Sequence, residues 1–438
     1  MFYFKKFCFL ALLALPLVAC KTTGEVKTDP TTPPKAETEQ AVQAPGATTP
    51  STTANAPNNV KVERISSAQD LEGMKKKAAA GDVAAKASLA VYYYNHGEPI
   101  DVDLALQNGK DAAEAGVLEG KYVLGAILLY SKDDRAAQTG LKVVQEASEA
   151  GYAPATAILG KYYLMGRIVP RDENQARKLF AQAAEKNDPE GLYGMGMLYA
   201  TGTTVSQDFK LAAEFFRKSA EQNLGAAQMA LGTLYANGQG VERNVDEAVR
   251  WFTPPASAGN SRAQTNLGTL LIETEKDLAG GVKWLRKAAS QNSVMAQFFL
   301  AQCYLSGVGV TQNHDEAFKL CSSAANAGLP IAQGMLGMMY FNGLGTPKDP
   351  TQSANWFKKA AEWGDSIAMY HLAGMYMEGL GVKKDLTEAY FWALIAEASE
   401  PIDETRQMRE AIAKEVNDQQ RQAAERKAKA WQPKSMPM

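Results

Sequence analysis

Small and apolar residues recur along this chain at spacings of three and four, in blocks that repeat about every 36 residues. In one block Ala227 is followed by Leu231-Gly232 and then by Tyr235, which places them on one face of a helix. The same register gives Ala85, Gly120, Ala155, Gly191, Ala263, Ala296, Ala332 and Ala368 as the first small residue. The small member of a Leu-Gly or Leu-Ala pair follows five residues later, and a tyrosine usually stands three beyond it, as at Tyr163, Tyr199, Tyr304, Tyr340 and Tyr376. These positions predict a helix A whose small residues let a neighbouring helix come close.

A glycine-rich turn follows: Gly238-Gln239-Gly240, Gly307-Val308-Gly309, Gly343-Leu344-Gly345 and Gly379-Leu380-Gly381. A second helix, B, then starts at Asp172, Asp208, Asn244, Asn313, Asp349 or Asp385, side chains that accept a bond from a first-turn amide. Helix B pairs a small residue with a large one three positions on, as in Ala248 with Trp251, Gly281 with Trp284, Ser353 with Trp356 and Ala389 with Trp392. Each block closes on Gly or Asn, at Gly116, Gly151, Asn187, Asn223, Gly259, Asn292, Gly328 and Gly364, the residues best suited to a left-handed helix end. The turn glycines are missing around Lys132-Asp133-Asp134 and Glu273-Thr274-Glu275. The pattern predicts an all-α fold, a right-handed α/α superhelical solenoid of about nine helix-turn-helix repeats within residues 66–400.

The combined motif, A-x-x-x-L-G-x-x-Y, then G-x-G-V, then A-x-x-W-x-x-x-A, resembles the Sel-like repeat family, relatives of the tetratricopeptide repeats; Ala227 to Gly259 and Ala332 to Gly364 are clear examples. The resemblance implies a scaffold or adaptor that holds another protein, as periplasmic regulators and envelope-assembly factors of that family do. It implies no cofactor. Two other functions attributed to relatives are a cell-wall or β-lactam-processing activity and the binding of glycans during exopolysaccharide assembly.

Location is written at the amino terminus. Lys5 and Lys6 precede an apolar run from Phe7 to Ala19 that is short for a membrane span, and Leu17-Val18-Ala19-Cys20 closes it. This resembles a bacterial lipobox, which implies a signal peptide over 1–19 and lipidation of Cys20. Lys21 next to that cysteine favours the outer membrane, with the body facing the periplasm. Residues 20–65 form an expected tether: six prolines and ten threonines fall between 21 and 60, with hardly any large apolar side chain to build a core.

The charge balance, 46 basic against 48 acidic residues with no basic run before the far C-terminus, argues against nucleic-acid binding. His96, His314 and His371 are widely separated and carry no ligand spacing, so no metal site or catalytic constellation is read. Cys303 and Cys321 fall on helices A and B of one block, roughly opposite across a hairpin; they are either a disulfide or two small buried hydrophobes. Pro254-Pro255 should kink its helix or end it early. Aromatic residues outside the template, Tyr92, Tyr94, Tyr152, Tyr162, Trp363 and Tyr370, are candidates for a partner-binding groove. Residues 401–438 read as one polar helix from Asp403 to Ala430, with Met408, Ile412 and Val416 on one stripe, and a basic tail, capping the open end of the solenoid.

Overall fold

The computed structural model describes residues 62–96 and 101–434. The signal segment 1–19, Cys20 and the tether up to residue 61 lie outside the described residues, as does the side chain of His96. Among the described residues there are helices and no strands. The chain falls into two compact units: one runs to Ala227 and includes Gln239–Val241, the other takes Gln228–Gly238 and everything from Glu242.

In the first unit a leading helix α1 (Ala68–Ala79) precedes four hairpins. These are α2 (Val83–His96) with α3 (Val102–Glu114), α4 (Leu118–Leu129) with α5 (Asp134–Glu149), α6 (Ala153–Met165) with α7 (Glu173–Glu185), and α8 (Pro189–Thr201) with α9 (Phe209–Ala220). The division between the units falls inside α10 (Gly225–Asn237). The second unit holds α11 (Val245–Ser257), α12 (Ser261–Glu273) with α13 (Leu278–Ser290), α14 (Val294–Ser306) with α15 (His314–Asn326), α16 (Pro330–Asn342) with α17 (Pro350–Glu362), and α18 (Ser366–Glu378) with α19 (Leu386–Ser399). It ends in α20 (Asp403–Ala413) and α21 (Asp418–Ala430).

The block-closing residues behave as their chemistry demands: Gly116, Gly151, Gly259, Gly328 and Gly364 have φ between 85° and 94°, and Asn187, Asn223 and Asn292 between 59° and 66°. Every B helix opens on an Asx cap. Asp208, for example, accepts from the amides of Lys210 and Leu211 at 2.9 and 3.0 Å. Asp101, Asp133 and Asp277 do the same work in the remaining hairpins.

Each long hairpin is also tied at its neck. The carbonyl of Tyr235 accepts from the amide of Asn244 at 2.9 Å, and Tyr163, Tyr199, Tyr304, Tyr340 and Tyr376 accept in the same way from the cap residue of their own B helix.

The two turn glycines have different tasks. The first ends helix A in a left-handed cap, as Gly307 does at φ 72°. The second lets the turn lie on the preceding hairpin: a Cβ on Gly240, Gly309, Gly345 or Gly381 would collide with the backbone of Phe209, Leu278, His314 or Pro350, in each case the first residue of the preceding B helix. In the α6–α7 hairpin Ile168 occupies this place with φ 71°, a conformation that costs a β-branched residue about 1–2 kcal/mol.

Within hairpins the Leu-Gly glycines receive a B-helix side chain. It is Phe252 that lies on Gly232, with Phe180 on Gly160, Phe216 on Gly196 and Phe357 on Gly337. The expected large partners, Trp251 and Trp356, are the preceding residues and are half-buried, each with a cation over its ring: Arg250 at 5.3 Å and Lys359 at 3.7 Å. Between hairpins the first small residue makes the close approach, since a Cβ on Gly191 would stand 2.5 Å from that of Ala183.

Two expectations are corrected, and of the two readings of the cysteine pair the structure has the buried thiols. The helix containing Pro254 and Pro255 does not end early: α11 runs to Ser257, because the prolines sit in its last turn and their carbonyls still accept from Ala258 and Asn260, both at 3.0 Å. The C-terminal segment is two helices. Asn417 interrupts it, accepting from the amide of Gln420 at 2.9 Å while the Gln420 side chain accepts from Asn417 at 3.0 Å, a capping box that starts α21. Ile412 and Val416 are buried and Met408 is half-buried. Finally, Cys303 and Cys321 are thiols with no bridge between them. Cys303 packs among Val282, Leu285 and Leu300, whereas Cys321 packs among Ala301, Ala317 and Leu336 and donates to the carbonyl of Ala332 in the next hairpin at 3.4 Å. They face different neighbours.

Candidate functional site

The strongest concentration of aromatic side chains that do not simply fill the template lies in the first unit. Tyr94 near the end of α2, Tyr122 on α4 and Tyr152 at the cap of α6 form a ladder, with ring centroids 5.9 Å apart at 82° and then 5.6 Å apart at 56°. Edge-on and tilted contacts of this kind are the favoured geometries for aromatic pairs. All three rings are half-buried.

Their electrostatics are shared. Burial pushes the Tyr94 phenol up to about 12, helped by Tyr130, Tyr162 and the negative charge of Glu190. Burial raises Tyr122 well above the usual range, with Tyr94, Tyr152, Glu190 and Asp188 adding to it. Tyr152 is raised first by burial, then by Glu119 and Asp188. The rings are therefore neutral phenols at physiological pH, close enough to three carboxylates to feel their field. Asp188 is itself buried, accepting from the amide of Gly191 at 2.9 Å, and its loss of solvent raises its carboxyl above the ordinary carboxylate value. Tyr130, at the end of α4, is 53% exposed.

Of the aromatics expected to share a groove, the structure places Tyr94 and Tyr152 on the ladder, with Tyr162 in the core cluster against which Tyr152 packs. Tyr92 packs with Leu71 and Met74 and meets Tyr93 edge-on at 5.6 Å. Tyr162 is a core residue, 1% exposed among Leu129, Val144 and Leu159, because its place two residues after Gly160 turns it inward. Trp363 and Tyr370 belong to the second unit and are half-buried there. Tyr370 lies edge-on to His371 at 5.4 Å, and His371 stacks on Phe357 at 5.1 Å. Sequence reasoning missed Tyr122, which links the ladder. A signal was available: Tyr122, Tyr193 and Tyr370 all stand two residues after the first small residue of helix A.

Among the described residues no group of three His, Cys, Asp or Glu side chains could hold a metal ion, and no helix is long and apolar enough to cross a membrane.

The model of the Sel1 repeat matches residues 83–117, 153–188, 189–224, 225–260, 261–293, 294–329, 330–365 and 366–398. The chain belongs to the Sel1 repeat family. The stretch 118–152, between the first two matched repeats, is not matched; it holds the α4–α5 hairpin, which lacks the turn glycines. A Sel1 repeat protein from Oxalobacter formigenes is similar, with 27% identity and a TM-score of 0.51 over 70% of this chain and 89% of that one. A protective antigen of uropathogenic Escherichia coli strains with an SLR fold shows 26% identity over 82% of this chain and 93% of its own, with a TM-score of 0.44. No curated protein matches the chain. Sel1 repeat proteins mediate protein–protein interaction.

Proposed function

We propose that this Sel1 repeat protein is a lipid-anchored scaffold of the bacterial envelope, holding a protein partner on the tyrosine ladder of its first unit. The ladder itself carries the reading. Three neutral phenol rings in series offer flat, stiff surface to a partner, and Tyr is favoured where interfaces concentrate their energy. Glu119, Asp188 and Glu190 make the neighbourhood negative, so the partner segment carries Lys or Arg, whose cations both stack on tyrosine and pair with carboxylates. No reaction is part of this proposal.

The anchor rests on Leu17-Val18-Ala19-Cys20, with the cysteine as lipid acceptor, Lys21 favouring the outer membrane, and residues 20–65 giving the solenoid reach into the periplasm. Capture from detergent-solubilised membranes tests both halves. Wild-type protein should retain a stoichiometric protein; Tyr122→Phe should retain it, and Tyr122→Ala and Glu190→Gln should lose it while keeping the wild-type circular dichroism. Retention on peptidoglycan or exopolysaccharide in place of a protein would overturn the scaffold reading in favour of a glycan-binding one. Palmitate labelling that survives Cys20→Ser would remove the anchor.

A further inference from the structure

The described residues begin close to the tyrosine ladder. Val62 packs against the cluster of Ala87, Ala112 and Val117, and the Glu63 amide donates to the Ser88 hydroxyl at 3.1 Å. Val117 is the cap of α4, and Tyr122 follows about 7.5 Å farther along that helix. The tether therefore joins the first unit a short step from the middle ring of the ladder. The surface there is hollow: Glu190, whose charge acts on Tyr94 and Tyr122, is exposed, yet loss of solvent raises its carboxyl above the ordinary value. Between residues 21 and 60 the sequence holds a single Pro-x-x-Pro, Pro30-Thr31-Thr32-Pro33, followed at once by Pro34 and Lys35. Asp29, Thr32 and Pro33 each precede a proline, which biases this stretch toward polyproline II.

We infer that the ladder holds this segment of the chain's own tether, Pro30 to Lys35, as a polyproline II helix, in competition with a protein partner. The inference rests on the ladder being a binding surface, as proposed above. Aromatic side chains are the usual seat of such helices, because a pyrrolidine ring packs flat on a phenol and a segment already restricted loses little entropy on docking. One polyproline turn, three residues at ~3.1 Å each, sets Pro30 and Pro33 on one face about 9 Å apart, within the reach of the two ring steps of 5.9 and 5.6 Å. Lys35 extends about 6 Å beyond Pro33, toward the exposed carboxylate of Glu190. Length is no obstacle: 26 residues separate Lys35 from Val62, and a chain of that length spans about 25–30 Å as a coil. Tethered so closely, the segment stands at the ladder at an effective concentration on the order of millimolar.

A fluorescent peptide with the sequence from Lys27 to Glu37 is the probe, titrated into the full chain in detergent and into its Pro30→Ala/Pro33→Ala double variant. It should saturate the double variant, and bind wild type at least about fivefold more weakly, because the wild-type tether competes for the same rings. Placed in the double variant, Tyr122→Ala should weaken binding at least about fivefold, as should Glu190→Gln, an exposed position whose change leaves the circular dichroism as it was. Lys35→Glu in the peptide should do the same. No saturation at millimolar peptide, equal binding to wild type and the double variant, or binding indifferent to Glu190→Gln would overturn the inference. So would an advantage of the double variant that appears only where light scattering finds dimers, since the tether of a second copy would then be the occupant. The titration needs no partner: peptide binding without capture of any protein from membranes removes the scaffold reading alone, and capture without peptide binding removes this inference alone.

Discussion

The Phe252 ring lies against Gly232 so closely that a Cβ on that glycine would stand 2.8 Å from the ring's Cε1. The same contact recurs at Phe180, Phe216 and Phe357, but in the α14–α15 hairpin the ring is replaced by Cys321 and the glycine by Ala301, both fully buried. Part of the volume lost on one helix is regained on the other. The two positions are one packing unit.

That pairing predicts a double-mutant cycle. Cys321→Phe alone should overpack against Ala301 and cost about 1–3 kcal/mol, and adding Ala301→Gly should return most of it, a coupling within the range of contacting residues. Urea denaturation measures all four corners. Additive losses would show that the positions do not share one space.

Gly232→Leu should destabilise by about 1–3 kcal/mol or more, because Phe252 cannot move without disturbing α11. Gly240→Ala should be of similar size, combining a φ of 68° with collision against Phe209. Asp208→Ala removes only a cap and should cost about 1 kcal/mol. Chemical denaturation that gave the cap the largest loss would reverse these roles.

The Cys321 thiol, pushed up to about 12 by burial, should be inert in the native protein. At pH 8 its thiolate fraction is on the order of 10⁻⁴, and no reagent reaches a fully buried sulfur. Alkylation should follow global unfolding. Rapid native-state labelling, or a mass consistent with a Cys303–Cys321 cystine after oxidative export, would contradict this packing.

Acid should find His371. Burial holds its imidazole below the usual range, so in the folded state it resists the proton that the unfolded chain accepts near pH 6.5. A depressed base makes stability rise with pH up to that value and fall below it. His371→Phe, in a site already lined by Phe341, Phe357 and Tyr370, should flatten this part of the profile. An identical slope in both proteins, by thermal melting from pH 5 to 8, would place the acid sensitivity elsewhere.

Much of the fold is legible in residue type alone, and the reason is backbone chemistry. Gly364 and Asn292 announce left-handed helix ends, and Asp385 announces a cap, wherever they occur in the register. Side-chain partners are less legible. Trp251 and Phe252 are adjacent and both large, so only a 100° rotation about the helix decides which meets Gly232, and the neighbouring helix fixes that rotation. The ladder was half visible for the same reason: Tyr94 and Tyr152 stood out from the template, whereas Tyr122 needed the positions of three hairpins. The break in the C-terminal segment was readable in Asn417 followed by Gln420, but the hydrophobic stripe through Val416 concealed it.

The bond between the Tyr235 carbonyl and the Asn244 amide spans nine residues and closes its hairpin without help from distant sequence. Loops of that length close on a timescale of about 10–100 ns, and each of the six such necks offers its own starting point. Folding of this chain is therefore a choice among many local beginnings, with rates set by short-range search and with mutations in one hairpin bypassed through another.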